Sequence, residues 1–158
     1  MSNTVTIYTD GASRGNPGPG GYGVILLYGN HRKELSQGYK LTTNNRMELM
    51  AVIAGLEALK KNQLDVIVYS DSQYVVNAVE KGWLKKWIAT HFKGGKKNKD
   101  IWMKYYQLSL NHNIKFAWVR GHADNPLNNR CDELATAAAD GRNLLNDEGY
   151  IQNTGQLL

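Results

Sequence analysis

Four carboxylates stand where strands end or helices begin. Asp10 closes an alternating apolar stretch and is followed by Gly11; Asp71 directly follows the apolar run Val66-Ile67-Val68-Tyr69. Glu48 and Asp132 fall near the starts of two stretches with helical periodicity. Ligands in open α/β sheets gather at the carboxyl ends of strands. If the first and fourth strands are neighbours, Asp10 and Asp71 emerge side by side, and two helix starts can add Glu48 and Asp132. Singly, three of these acids have plainer explanations: Glu48 completes a capping box with Asn45, Asp71 caps the next helix, and Asp132 complements a helix dipole. Only Asp10, a strand-end acid before a glycine, resists one. Together they form a set that repels itself unless a cation sits in it. Oxygen-only ligands select a hard cation such as Mg²⁺ or Mn²⁺ over zinc. Against a phosphodiester, such a site can hold two ions about 4 Å apart, one activating the attacking water and one stabilising the leaving oxygen.

A fifth candidate is His122, in the segment Arg120-Gly121-His122-Ala123-Asp124 after a predicted strand and ten residues before Asp132. Loop histidines are more often structural, but one placed there can carry a proton near neutral pH. His31, His91 and His112 have no partner pattern, and Cys131 has no zinc-ligand spacing around it. The glycine-rich stretch after Asp10 lacks the G-K-[ST] ending of a phosphate-cradling loop. Its glycines instead let backbone approach a ligand closely.

The charge is concentrated. The chain of 158 residues carries a net charge of +5, yet Lys81, Lys85, Lys86, Lys93, Lys96, Lys97 and Lys99 all fall within residues 81–99, without an acid among them. The rest of the chain is net negative. A solvated surface segment is the plain reading. Against it, Trp83, Trp87 and Phe92 lie between the lysines and Trp102 follows. Ammonium groups that meet phosphates, and rings that stack on bases or sugars, suit nucleic acid. An anionic membrane surface is the main competitor, but Gly82, Gly94 and Gly95 break any single long amphipathic helix.

The elements that must position these residues follow from periodicity. Residues 4–10 read as a strand and 11–21 as a loop, with five glycines and the two prolines Pro17 and Pro19. Residues 22–28 and 34–41 read as strands joined by a hairpin at Gly29-Asn30. Residues 45–61 form the clearest helix, 65–70 a strand buried on both faces, and 72–79 a short helix. Residues 100–112 read as helix, 114–119 as strand, and 127–140 as an alanine-rich helix. This order predicts an α/β layer fold with a mixed sheet, antiparallel first and then parallel through helical crossovers. The length suits one domain, and a lone cysteine excludes an internal disulfide and fits a reducing compartment. No secretory signal or bilayer-spanning run is visible, so a cytoplasmic location is expected.

Six segments make the sequence recognisable: Tyr8-Thr9-Asp10-Gly11, Gly15-Asn16-Pro17-Gly18-Pro19-Gly20-Gly21, Thr42-Thr43-Asn44-Asn45-Arg46-Met47-Glu48-Leu49, Ser70-Asp71-Ser72-Gln73-Tyr74-Val75, Gly121-His122-Ala123 and Arg130-Cys131-Asp132-Glu133-Leu134-Ala135. In this order they resemble bacterial type 1 ribonuclease H. The resemblance implies a ribonuclease H-like α/β fold with a five-stranded mixed sheet of order 3-2-1-4-5, flanking helices and a basic protrusion. A single domain is expected over residues 1–150, and residues 151–158, which match nothing in the family, are expected to be a disordered C-terminal tail. It also implies an endoribonuclease that hydrolyses the RNA strand of RNA–DNA hybrids by a two-metal-ion mechanism, leaving 5′-phosphate and 3′-hydroxyl ends. Mg²⁺ would be the cofactor, with Mn²⁺ able to substitute. The partner would be the hybrid, without a membrane or an obligate protein partner, and the protein a monomer.

Position by position, the resemblance makes Asp10, Glu48, Asp71 and Asp132 the metal-binding carboxylates and His122 a loop histidine that assists water activation or product release. Asn16, Asn44, Asn45 and Gln73 match RNA contacts, where 2′-hydroxyls distinguish RNA from DNA. Thr43 and Asn98 match a pocket for a phosphate of the DNA strand, and Tyr74 and Trp83 an aromatic groove beneath the DNA sugars. The seven lysines match the protrusion that handles substrate. Two departures stand out: Leu41 occupies a position where the family often has an arginine on that phosphate, and the stretch from Phe92 to Trp102 is short. Both point to altered affinity with the chemistry intact. A hybrid-binding module without hydrolysis, a transposase, integrase or junction resolvase on the same sheet, and a viral ribonuclease H domain are the alternatives. The four retained acids, the T-N-N-R-M-E segment and the basic protrusion, and a chain beginning at its own methionine argue against them in turn.

Overall fold

The computed structural model describes residues 4–120 and 125–154. The elements are β1 (Thr4–Ser13), β2 (Gly18–Tyr28), β3 (His31–Thr42), α1 (Asn44–Glu57), β4 (Asp65–Ser70), α2 (Gln73–Glu80), α3 (Trp83–Ala89), α4 (Lys99–Ser109), β5 (Asn113–Trp118), α5 (Pro126–Asp140), β6 (Leu144–Leu145) and α6 (Glu148–Thr154). One sheet carries the order β5-β4-β1-β2-β3-β6. β1, β2 and β3 are antiparallel, while β4 pairs parallel to β1 and β5 parallel to β4. The expected order 3-2-1-4-5 is present, extended by two-residue β6 against Gly38–Tyr39.

Alternation explains the layers. Val5 and Ile7 of β1, Val24 and Leu26 of β2, Val66 and Val68 of β4 and Phe116 of β5 share one buried cluster with Leu49, Val52, Ile53 and Leu56 of α1 and with Trp102 and Tyr105 of α4. β4 is fully buried on one face only, since Ile67 and Tyr69 between these positions are half-buried. The opposite face of the sheet receives α5, and glycines decide how closely. A Cβ at Gly23 would stand 2.3 Å from the Cys131 carbonyl oxygen, and one at Gly38 2.2 Å from that of Ala138. Only bare backbone lets helix and strand meet at this separation.

The same chemistry corrects the reading of residues 11–21 as a loop. β1 continues to Ser13 and β2 begins at Gly18, paired from Gly20↔Ser13 onward, so only Arg14–Pro17 turn. Glycine density there reflects close packing as well as turning. The hairpin at Gly29-Asn30 is present, with Gly29 at φ +59°. α1 ends at Glu57, four residues earlier than periodicity indicates. α3 occupies part of the lysine-rich segment, bounded by Gly82, Gly94 and Gly95 at positive φ. Residues 151–154, counted with the tail on sequence grounds, continue α6. Among the described residues no helix is long and apolar enough to cross a membrane.

Candidate active site

The carboxylates meet because β1 and β4 are adjacent and parallel, with Tyr8 opposite Tyr69, so their carboxyl ends emerge together. Asp10 lies in β1, while Asp71 follows β4. Glu48 comes from the first turns of α1, pressed against β1 at Gly11, where a Cβ would stand 2.4 Å from the Glu48 nitrogen. The Gly11 N–H donates to Asp10 Oδ1 at 3.0 Å and to Glu48 Oε1 at 2.8 Å, tying the two acids to one amide. Asp10, Glu48 and Asp71 each bring a carboxylate oxygen to within 4.8 Å of the others. Asp132, exposed on α5, is not one of these three, but its carboxylate lies near enough to raise Asp10.

The dull explanations of Glu48 and Asp71 fail on geometry, and Asp132, the seventh of 15 residues in α5 and not near its start, lies too far from the helix end to complement its dipole. The N-cap of α1 is Thr43, whose hydroxyl accepts from Arg46 N at 3.2 Å, which leaves Glu48 free of a capping box. The N-cap of α2 is Ser72, which accepts from Val75 N at 3.2 Å; Asp71 does not cap. Asp71 Oδ1 is buried and receives no hydrogen bond from a described residue. Asp10 and Glu48 are buried, at 6% and 5% exposure. Burial, then the charges of Asp71 and Asp132, push the Asp10 carboxyl up to about 8. Burial, followed by Asp10 and Asp71, raises Glu48 well above the carboxylate range. Crowded, buried and all-oxygen, with one oxygen unpartnered, the cluster fits a hard divalent cation. His122 lies outside the described residues. Cys131 is buried, and its thiol is pushed up to about 12 by burial and then by Asp10, so it is inert as a nucleophile.

A basic surface borders the first residues of α1 and α2. A cleft of about 690 Å³ is lined by Tyr74, Trp83, Trp87, Lys86, Lys96 and Asn98 among others. A second, of about 590 Å³, includes Asn16, Thr43, Asn98, Lys97 and Lys99. All seven lysines of the segment are exposed. The aromatic residues among them divide. Trp102 is fully buried, Phe92 is 7% exposed, and Trp87 is packed against both rings, so these belong largely to the core. Trp83, at 36% exposure, is the aromatic of the segment most open to a ligand. Tyr74 is held from below, its hydroxyl accepting from Trp102 Nε1 at 2.7 Å and from Asn98 Nδ2 at 3.2 Å. Asn44 and Asn45 open α1 and Gln73 opens α2; Asn16 Oδ1 accepts from the Asn44 amide at 3.1 Å.

Arg46 is the organiser that periodicity underrated. It is 2% exposed and fully paired: Nε and Nη2 reach Asp147 at 2.7 and 2.9 Å, Nη1 and Nη2 reach Asp100 at 2.9 and 2.7 Å, and Nη1 reaches Asn98 Oδ1 at 3.3 Å. Burial opposes its charge, but the hydrogen bonds to Asp100 and Asp147 outweigh burial and hold the guanidinium above its ordinary value. The signal in the sequence was its spacing, since Arg46 precedes Leu49 and Ile53 on the inward face of α1.

A family model described as RNase H matches residues 2–140. A ribonuclease H of Desulforamulus reducens is 59% identical over 144 residues, covering 89% of this chain and 90% of that one. A ribonuclease HI of Synechocystis is 50% identical over 153 residues, covering 94% and 95%. Among solved structures, LC9-RNase H1, described as a type 1 RNase H with the type 2 active-site motif, superposes with a TM-score of 0.79 at 29% identity, over 98% of this chain and 82% of that one. LC11-RNase H1 in complex with an RNA/DNA hybrid superposes with a TM-score of 0.66 at 28% identity, over 86% and 96%. A model match over most of the length, together with relatives sharing half or more of their residues, makes this chain a member of the RNase H family.

Proposed function

We propose that the protein is a metal-dependent endoribonuclease that cuts the RNA strand of RNA–DNA hybrids and leaves 5′-phosphate and 3′-hydroxyl ends. The observation that carries this reading is the oxygen-only cluster of Asp10, Glu48 and Asp71, on a chain where the starts of α1 and α2, at Asn45 and Tyr74, also line a lysine-bearing cleft. Family membership and the hybrid bound by LC11-RNase H1 support the substrate class.

In this reading the four carboxylates would hold Mg²⁺, two ions with substrate bound. The ions would lower the pKa of a water and offset charge on the scissile phosphate. The remaining work falls to the chain itself. Asp10 and Glu48, tied to the Gly11 amide, keep their free oxygens turned toward Asp71. Asn16, Asn44, Asn45 and Gln73 receive the RNA strand, and the 2′-hydroxyls there select RNA. Thr43 and Asn98 hold a phosphate of the DNA strand; Tyr74 and Trp83 carry its sugars. Lys97 and Lys99 line that phosphate cleft and supply the cation that Leu41 lacks. His122 moves a proton at the reacting centre. The protein works as a monomer in the cytoplasm.

End-labelled RNA–DNA, RNA–RNA and DNA–DNA duplexes of one sequence, each with Mg²⁺ or EDTA, test the proposal beside Asp10→Asn. The expected result is cleavage of the RNA strand of the hybrid alone, lost in EDTA and in the variant. Tight hybrid binding without cleavage in Mg²⁺ or Mn²⁺ would favour a binding module instead.

A further inference from the structure

The match to the family model ends at residue 140, yet the chain beyond it folds back against β3 and Arg46 of α1. β6 pairs with β3 and turns the chain into α6. Between them Asp147, 3% exposed, accepts from Arg46 Nε and Nη2, from Thr42 Oγ1 at 2.6 Å and from Tyr150 N at 3.3 Å. Arg46 spans the gap from Asp147 to Asp100 and Asn98 at the foot of the lysine-rich segment. Gly149 makes this convergence possible, since a Cβ there would stand 1.9 Å from Asp100 Oδ2 and 2.7 Å from Arg46 Nη2. Tyr150, half-buried, closes the cleft of about 590 Å³ that also includes Asn16, Thr43, Asn98, Lys97 and Lys99. Among the described residues no acid lines this cleft. The one guanidinium in its wall is neutralised by two aspartates, which leaves the lysine ammonium groups to attract an anion.

We infer that residues 147–150 are a substrate-positioning element: Asp147 fixes Asn98 through Arg46, and Tyr150 forms the outer wall of a site for a backbone phosphate of the nucleic acid. The inference rests on the proposed hybrid-cleaving function and extends it to a segment outside the family model. Asp147 is a positioning residue, acting through Arg46. Tyr150 is a contact residue. An aromatic ring there sets the width of the cleft and shields the lysine–phosphate contacts from water, which strengthens them. Because neither group touches the carboxylate cluster, their loss weakens binding and spares the chemical step.

The experiment uses the full chain and reads KM, kcat and, in EDTA, the Kd for a fluorescent RNA–DNA hybrid. Tyr150→Ala is expected to raise KM and Kd about five-fold, the scale of one lost polar contact, with kcat within about two-fold of wild type. Asp147→Asn is expected to raise KM likewise and to be non-additive with Asn98→Ala, since both act on one phosphate contact. A purely structural role would lower the melting temperature and leave that coupling at zero. Unchanged KM and Kd in Tyr150→Ala, in a wild type that cuts the hybrid, overturns this inference alone. A wild type that neither binds nor cuts the hybrid overturns the function on which it rests. Should Asp147→Asn fail to fold, Tyr150→Ala, on a half-buried side chain, still decides the matter.

Discussion

At the scale of single residues, the cluster trades stability for cation binding. Asp10 and Glu48 are buried acids with a third and a fourth beside them, and each is held above the ordinary carboxylate range. A raised folded-state pKa stabilises the fold fully below the unfolded value, 3.8 for Asp10, and that contribution disappears as pH rises to about 8. Without metal, the melting temperature should therefore fall between pH 4 and pH 8 by more than surface titration explains. Asp10→Asn copies the protonated acid and removes its share of this loss, on the order of a few kcal/mol. The variant should then melt above wild type in EDTA at pH 8, match it near pH 4, and show no cleavage at any pH. Divalent cation should reverse the order at pH 8, because it stabilises the protein that binds it better. Calorimetry with EDTA and with Mg²⁺ at both pH values measures this. A variant that melts below wild type in EDTA at pH 8 would mean that Asp10 has structural partners outweighing the repulsion.

At the scale of elements, the site depends on how closely helices approach strands. α1 reaches β1 over Gly11, and α5 reaches β2 over Gly21 and Gly23, where a Cβ would meet backbone that cannot rotate away. Asp132 hangs on α5 close to the register of Gly23, which pairs with Asp10. Gly23→Ala should push α5 off the sheet, destabilise the protein by about 1–3 kcal/mol and draw Asp132 away from Asp10. Chemical denaturation gives the first effect, and the metal concentration needed for half-maximal cleavage gives the second. Full stability would show that α5 can slide freely. These contacts also separate what the sequence revealed from what it hid. The succession of strands along the chain was legible, because Val66–Tyr69 and residues 4–10 alternate or run apolar at strand length, whereas their order in the sheet came from the family resemblance. The glycines after Asp10 were misread as a loop, because glycine marks both turns and close approach, and only a partner helix tells them apart. The cap of α1 was misplaced by two residues, since Thr43 and Asn45 are both good caps. Trp102 and Phe92 looked like ligand contacts because they neighbour lysines in sequence; in space they face the core.

At the scale of the whole molecule, the acids and the lysines divide the labour. Asp10, Glu48, Asp71 and Asp132 were legible as candidates because strand ends and helix starts are readable, and their convergence followed from β1 and β4 being parallel neighbours. The Asp147–Arg46–Asp100 lock was not legible, because it joins residues 46, 100 and 147 that no local pattern connects. The negative remainder of the chain repels a polyanion, so the segment 81–99 must supply the attraction. Its lysines are exposed, and Lys86, Lys96, Lys97 and Lys99 line the two clefts, with Lys96 5.7 Å from the Trp87 ring and Lys81 5.8 Å from that of Trp83. Each lysine–phosphate contact releases about one counterion, so affinity should fall steeply with salt. Replacing Lys85, Lys86, Lys96 and Lys97 with alanine should raise KM for an RNA–DNA hybrid and reduce the slope of log Kd against log salt by up to about 4. kcat should stay close to wild type, since no lysine of the four belongs to the carboxylate cluster. Titrations of the hybrid in EDTA across a series of salt concentrations, paired with steady-state kinetics in Mg²⁺, separate these quantities. A collapse of kcat at unchanged KM would place the lysines in the chemistry instead of the capture of substrate, and would undo the division of labour between the two halves of the surface.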